Sequence, residues 1–321
     1  METFSIVFEN VNYVGPTIEE PVTMGNVLLA PMPPDPQFDE SFEIGAIVRV
    51  AANTLEQAKR RASLLLANAV TVLTYALCRQ AMPEGRDKSD VLVDMSIEEE
   101  EDVTIRKWRE ELQGAAKSSP DTDYNHVHVI TVLRSLGWFP ERPKGKLSES
   151  VSDPVAQKLL RILNDRQSSS LGEYAESLAL AVTYLQRSME SEGAHSLIDA
   201  ITGLEALFGP RGADLFYPIA ATVGYGVAYT SAGRNDPEKC LETWKQVKDI
   251  YRDRSQLVHG DRLSVSAQDA ISDAERMLVE SIEFCVRHER TILACHGIQQ
   301  WLDMVRFGCR DALVPEETPS S

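Results

Sequence analysis

Residues 44–51 read I-G-A-I-V-R-V-A, and residues 52–57 follow at once with A-N-T-L-E-Q. The first run is apolar and β-branched, which predicts a strand. The rule changes at Thr54. A threonine ahead of an apolar-periodic run is a good helix N-cap, and Gln57 three residues on completes a capping box. Leu55, Ala58, Ala62, Leu65, Ala69, Val72 and Ala76 then recur at the spacing of one helical face. A strand that runs straight into a long capped helix predicts mixed α and β structure. Working outward, residues 4–8 (FSIVF) and 25–29 (GNVLL) are short apolar runs beside turn residues, and residues 91–95 and 102–108 fit two more strands. Pro31, Pro33, Pro34 and Pro36 mark a loop, since each lacks an N–H and restricts the residue before it. The acidic run 98–102 reads as a solvated turn, with a docking patch as the alternative. Residues 124–136 begin with strand-like alternation.

From residue 153 onward the pattern is helical. Residues 171–189, 195–208, 213–231, 266–292 and 296–307 each read as a helix, and Pro237 opens one more with Glu238 in its first turn. In 195–208, Leu197, Ile201, Leu204 and Phe208 form one stripe, and Gly209-Pro210 ends it. Between the halves, Pro140, Pro143, Lys144, Gly145, Lys146 and the following serines make a breaker-rich stretch. The expected organisation is an α+β N-terminal domain over residues 1–150 and an all-α bundle over residues 151–321.

The chain has 321 residues, with 49 Asp+Glu against 32 Lys+Arg and a formal charge of −17. A non-specific binder of duplex DNA or of an anionic membrane needs the opposite sign. Any contact with nucleic acid must therefore be local, made by a few focused arginines. Hydrophobic residues at 43% suffice for a real core. The five cysteines, at 78, 240, 285, 295 and 309, are odd in number and scattered. That argues against a disulfide framework and for a reducing cytoplasm. The opening residues METFSIVFEN lack a basic region and an apolar core, so no secretion signal is expected. Two uncharged stretches, 62–78 and 215–233, are interrupted by Asn68, Thr71 and Thr74 and by Pro218, Gly224 and Gly226. They read as buried core helices, not as membrane spans.

The richest chemistry lies in residues 250–262, I-Y-R-D-R-S-Q-L-V-H-G-D-R. Three arginines and a histidine sit near a helix end marked by Gly260. The helix before it carries an apolar stripe through Leu241, Trp244, Val247 and Tyr251, continuing to Val258. Arg254 falls on that stripe, where an arginine is expensive unless it is paired or lines a cavity. Arg252 and His259 are two turns apart and share another face. Imidazole exchanges protons near neutral pH, and guanidinium holds phosphate through a bidentate fork. Together they make a minimal kit for phosphodiester chemistry without a metal. The same residues also fit a structural role, with Arg254 on a buried carboxylate and His259 capping the helix.

Other candidates are weaker. His126 and His128 alternate on one face of a strand without a third ligand nearby. Cys285, His288, Cys295 and His296 have zinc-ligand chemistry but no tight knuckle. His195 opens a helix on the surface. Gly209-Pro-Arg-Gly212 is a turn, not a phosphate loop, because no Gly-Lys-Ser/Thr follows.

The segment Arg254-Ser-Gln-Leu-Val-His259 resembles the R-x4–6-H signature of HEPN domains. Tyr251-x-x-Arg-Ser-x-x-Val-His-Gly260 is similar to the signature of Apea-like HEPN proteins. Leu197-Ile-x-x-Ile-x-x-Leu-Glu-Ala-Leu-Phe208 is similar to that branch's "alE-lf" helix, Glu205 included. The resemblance spans roughly residues 153–310, and the first 150 residues carry none. It implies a helical bundle that commonly dimerises, so that two motifs face each other across a shared cleft. Many such domains are metal-independent ribonucleases of defence, toxin–antitoxin or RNA-processing systems, and no cofactor is implied. His259 would be the general acid/base for attack of a ribose 2′-OH on the adjacent phosphate. Arg254 would hold that phosphate, leaving 2′,3′-cyclic phosphate and 5′-OH ends. Glu205 would pair with an arginine or orient the motif. Arg252, Ser255 and Arg262 would be further phosphate contacts. Active members often carry Asn, Asp or His after the arginine, where this chain has Ser255. The alternative implied by the family is a non-catalytic dimerisation or nucleotide-binding adaptor. In either case the first domain would sense a trigger or bind a regulatory protein.

Overall fold

The structure, a computed structural model, describes residues 2–12, 21–31, 43–81, 99–100, 127–132, 151–165, 171–191, 193–209, 237–258 and 267–306, with Ile219 and Val223. The chain divides into two compact units. One comprises Met1–Leu77 and Gly85–Gln157, the other Cys78–Glu84 and Lys158–Ser321. The class is α+β: a sheet with a long helix up to Leu77 in the first unit, and helices in the second.

The sheet of the first unit is built around β1 (Glu2–Asn12). Strands β2 (Val22–Met24) and β3 (Val27–Pro31) form a hairpin, joined by Gly25 and Asn26. Gly25 has φ 60° while Asn26 does not go positive, which is the pattern of a type II′ turn and needs glycine first. β4 (Glu43–Ala52) lies between β3 and β1, antiparallel to both. Strands β5 (Glu99–Glu100) and β6 (Val127–Val132) complete the order β2-β3-β4-β1-β6-β5, with β6 parallel to β1. The register explains the core. Ile6 opposes Val48, and Val48 opposes Val27 on its other side; Phe8 opposes Ala46, and Ala46 opposes Leu29. All of these are buried, so the period-two alternation of three strands puts their apolar side chains on one face. Burying each large one is worth about 1.5–3 kcal/mol. A bulge between Phe8 and Val11 then shifts the register.

Helix α1 (Leu55–Ala81) begins as its capping residues require. The Gln57 N–H donates to Thr54 Oγ1 at 3.2 Å, and Gln57 Oε1 accepts from the Asn53 N–H at 3.0 Å. The box therefore closes one residue earlier than its usual form, on Asn53 instead of Thr54. Arg61 Nη1 donates to the Ala51 carbonyl at the end of β4. From Val72 to Cys78 every side chain is buried, on all sides of the helix. The hydroxyls of Thr71 and Thr74 are satisfied by the carbonyls of Ala67 and Val70, so they cost little in an apolar setting. Among the described residues α1 is the one helix long and apolar enough to cross a membrane, and 67% of its most apolar window is buried inside the protein, as in a core helix.

The second unit is helical. Asp153 caps α2 (Pro154–Asn164) by accepting the Val155 N–H at 2.8 Å. Then follow α3 (Gly172–Glu190), α4 (Ala194–Phe208), α5 (Pro237–Val258), α6 (Ala267–Arg287), α7 (Glu289–Ala294) and α8 (Ile298–Arg306). Helix α4 is the hub, packed by α3, α5, α6 and α8. Its stripe of Leu197, Ile201, Leu204 and Phe208 is buried, as the spacing requires. Gly203 lets three helices meet. A Cβ there would lie 2.6 Å from Leu278 Cδ2 on α6 and 3.3 Å from the Ala181 carbonyl on α3. Gln299 Nε2 on α8 donates to the Phe208 carbonyl, one of the orphan acceptors at the end of α4. Polar ties lie between the helices too. Arg161 and Lys158 on α2 pair with Glu289, and Arg79 pairs with Glu283 at 2.6 Å.

Several expectations need correction. The helix expected over 266–292 bends at His288, whose backbone (φ −96°, ψ 19°) leaves helical values between α6 and α7. The His288 ring stacks near Phe284, 4.5 Å between centroids, and Phe284 meets Trp301 at 5.0 Å. Leu241 is 53% exposed; the stripe of α5 runs through buried Cys240, Val247 and Ile250. Stepping back from Trp244 by four residues, not three, keeps the face. Within the acidic run, Glu99 and Glu100 form a short edge strand, not a turn. The strands expected at 91–95 and 102–108, the helix at 213–231 apart from buried Ile219 and Val223, and the breaker-rich boundary lie outside the described residues.

Candidate functional site

The candidate site is where the last turns of α4 and α5 meet. Leu204 and Phe208 anchor α4 in the core, which sets Glu205 beside them at the edge of the packed face. Val247 and Ile250 anchor α5 in the same way. Tyr251 and Arg254, three residues apart, then project from one face of α5 at the margin of the core.

There Arg254 and Glu205 make a forked pair. Nη1 lies 2.9 Å from Oε1, and Nη2 donates to Oε2 at 3.3 Å. The Tyr251 hydroxyl donates to Oε1 at 3.4 Å. The Arg254 side chain is 30% exposed and that of Glu205 13%. The remaining guanidinium nitrogen, Nε, is buried with no hydrogen-bond partner among the described residues. Burial pushes the Glu205 carboxyl above its ordinary range; the Arg254 charge and the Tyr251 hydrogen bond oppose this without cancelling it. Burial and the adjacent Glu205 charge hold the Tyr251 phenol far above its ordinary value, so it stays a donor at any working pH.

The structure thus brings Glu205 and Arg254 together. Arg252 and Ser255 are exposed on other sides of α5. Arg252 is held by its neighbours, 2.9 Å from Asp249 and 3.6 Å from Asp253. His259 and Arg262 lie outside the described residues. Tyr251 joins the site, though reading the sequence assigned it no role; its i, i+3 relation to Arg254 was the available signal.

A second polar cluster escaped the sequence altogether. Glu275 of α6 is buried, and both Ser188 and Ser196 donate to its Oε1, at 2.6 and 3.0 Å. It seals the corner where α3 ends and α4 begins. Cys78, Cys240 and Cys285 are buried and form no disulfide, and burial pushes the Cys285 thiol far above the usual range. Such a thiol is neither a ready nucleophile nor a ready ligand. Among the described residues no group of three or more His, Cys, Asp or Glu side chains is placed to hold a metal ion. His126 lies outside them, and His128 is in β6, in register with Ile6.

Comparison with protein families, with characterised proteins and with solved structures finds no match to this chain.

Proposed function

We propose that the chain is a metal-independent endoribonuclease of the HEPN type, a cytoplasmic effector that works as a homodimer through its helical unit. The observation that carries this reading is the meeting of Glu205 and Arg254. These residues come from the two segments that resemble Apea-like HEPN proteins, and they are paired at the edge of the bundle. In this reading Arg254 binds the scissile phosphate and stabilises its developing charge. Glu205 and Tyr251 hold the Arg254 side chain in place before substrate arrives, and His259 exchanges protons with the 2′-OH and the leaving 5′ oxygen. The 2′ oxygen attacks phosphorus, the P–O5′ bond breaks, and a 2′,3′-cyclic phosphate and a 5′-OH result. Ser255 and the arginines at 252 and 262 would add contacts to neighbouring phosphates. The N-terminal unit would sense the trigger or bind a regulator.

The test is cleavage of end-labelled total RNA and tRNA by the full chain in EDTA, beside Arg254→Ala and His259→Ala. Cleavage by wild type alone, leaving cyclic-phosphate ends, supports the reading. No cleavage by any of the three, with a dimer in light scattering, favours the second reading, a non-catalytic adaptor that dimerises or binds nucleotides. One observation favours that second reading: both described arginines of the motif are already neutralised by carboxylates.

A further inference from the structure

Resting on the reading of Arg254 as the phosphate-holding group, we infer that Glu205 is a brake on that site, and that an anion binds only when the Glu205–Arg254 pair opens. A guanidinium presents a fork through Nη1 and Nη2, or through Nε and one Nη. The first fork is filled by the two oxygens of Glu205. The second needs Nε, which is buried. Neither fork is open to a phosphate in this state. The Tyr251 hydroxyl holds Oε1 in place and helps keep the fork filled. Arg252, the nearest other cation of the motif, is itself taken by Asp249 and Asp253.

The position of the pair decides between a brake and a simple strut. Glu275 is sealed in the core by two serines, and its release would require the bundle to come apart. The Glu205–Arg254 pair sits at the margin, with the arginine 30% exposed. It can open by side-chain rotation alone. An apparent affinity is lowered by the fraction of molecules in the competent state. If roughly one chain in ten has Arg254 released, removing the competing carboxylate tightens anion binding about tenfold.

The experiment uses the full chain and a fluorescent single-stranded 2′-deoxy oligonucleotide. This probe lacks the 2′-OH and cannot be cleaved by the proposed route, so binding is read apart from catalysis. Anisotropy titrations compare wild type, Glu205→Gln, Arg254→Ala and the double variant. The expected result is about tenfold tighter binding by Glu205→Gln, with the gain abolished in the double variant. Should Glu205→Gln lose its helical circular dichroism, Glu205→Asp carries the test. Its stem is one methylene shorter, so its carboxylate cannot reach both nitrogens from α4, and it should bind the probe several-fold tighter than wild type. Two results overturn the brake. If Glu205→Gln is no tighter while Arg254→Ala is weaker than wild type, Arg254 holds phosphate but Glu205 does not restrain it. If neither variant changes binding, the phosphate-holding reading falls with the brake.

Discussion

Replacing Gly203 by alanine adds one methyl group at the point where α3, α4 and α6 meet. The ideal Cβ would stand 2.6 Å from Leu278 Cδ2, 3.0 Å from Leu278 Cδ1 and 3.3 Å from the Ala181 carbonyl oxygen. Leu278 is fully buried and cannot swing into solvent. Two terms compete. Alanine in a helix interior is favoured over glycine by about 0.8–1 kcal/mol. Overpacking a filled core costs roughly 1–3 kcal/mol. Because the tightest contact is below any normal carbon–carbon approach, the second term should win by about 1 kcal/mol. For a unit of this size that lowers the melting temperature by about 2–4 °C, read by the helical signal at 222 nm. The decisive comparison is the same change in a Leu278→Ala background. Leu278→Ala alone costs about 2–5 kcal/mol through the cavity it leaves. Adding Gly203→Ala there should cost far less or be neutral, because the obstructing methyls are gone and the propensity term then faces only the 3.3 Å approach to the Ala181 carbonyl. A cost that persists unchanged in that background would refute the steric argument, since neighbours that clash must show coupling in the cycle.

The remaining predictions follow from the polar groups. Glu283 has its carboxyl held below the ordinary 4.5: burial alone would raise it, but hydrogen bonds and charge from Arg79 and Arg287 outweigh burial. Its contribution is present above that value and lost as pH falls through the lowered one, so Glu283→Gln should flatten the acid limb of a denaturation series. Glu205 has the reverse sign, being raised above 4.5. Its contribution is full below that value and lost as pH rises through the raised one, and Glu205→Gln should remove that decline; an unchanged profile would count against the burial argument. Glu275→Ala removes the 2.6 Å acceptor of the buried Ser188 hydroxyl, while the Ser196 hydroxyl keeps the Ser188 carbonyl at 2.6 Å, and should cost about 1–3 kcal/mol in urea unfolding, whereas a surface Glu→Ala change such as Glu242→Ala should cost under about 0.5. His296 sits at φ 60°, in the left-handed position of a turn where Gly297 N donates to the Ile292 carbonyl and His296 N to the Leu293 carbonyl. His296→Gly relieves about 1–2 kcal/mol of strain and adds about 0.4–1 of unfolded-state entropy, so a small rise in melting temperature is expected.

What could be read from the sequence was what is local. Residues 44–57 announce their strand and cap because β-branched residues, a threonine and a glutamine act within one turn of themselves. The α4 stripe is legible because every fourth or third residue must face the same core. The parallel pairing of β6 with β1 has no such local mark; it joins segments far apart in sequence through backbone bonds that any residues can make. Glu99–Glu100 is misread for a related reason, since two acidic residues carry no strand propensity and are held by their partner strand alone. The bend at His288 is invisible because amphipathic periodicity survives one residue with altered backbone angles. Leu241 shows the limit of periodicity itself: a step of three or four residues is equally helical, and only the packing of Cys240 decides between them.

The site was legible in part, and the reason is electrostatic. An arginine on an apolar stripe demands a partner, so a carboxylate near Arg254 could be expected from cost alone. Which carboxylate could not, because α4 and α5 are separate in sequence and meet only through their cores. Glu205 was singled out by resemblance, and the geometry gives that choice a physical basis: it is the acid on α4 that stands one residue from the buried Leu204 and three from Phe208, at the rim where α5 arrives. The same geometry limits what the pair can do. In this chain of net charge −17, both described arginines of the motif are compensated by carboxylates. Arg252 is taken by two aspartates of its own helix, and Arg254 by Glu205. On the proposed function, an RNA phosphate would have to displace a carboxylate before it gains a guanidinium, so affinity for bulk RNA would be weak and activity would depend on whatever opens the pair.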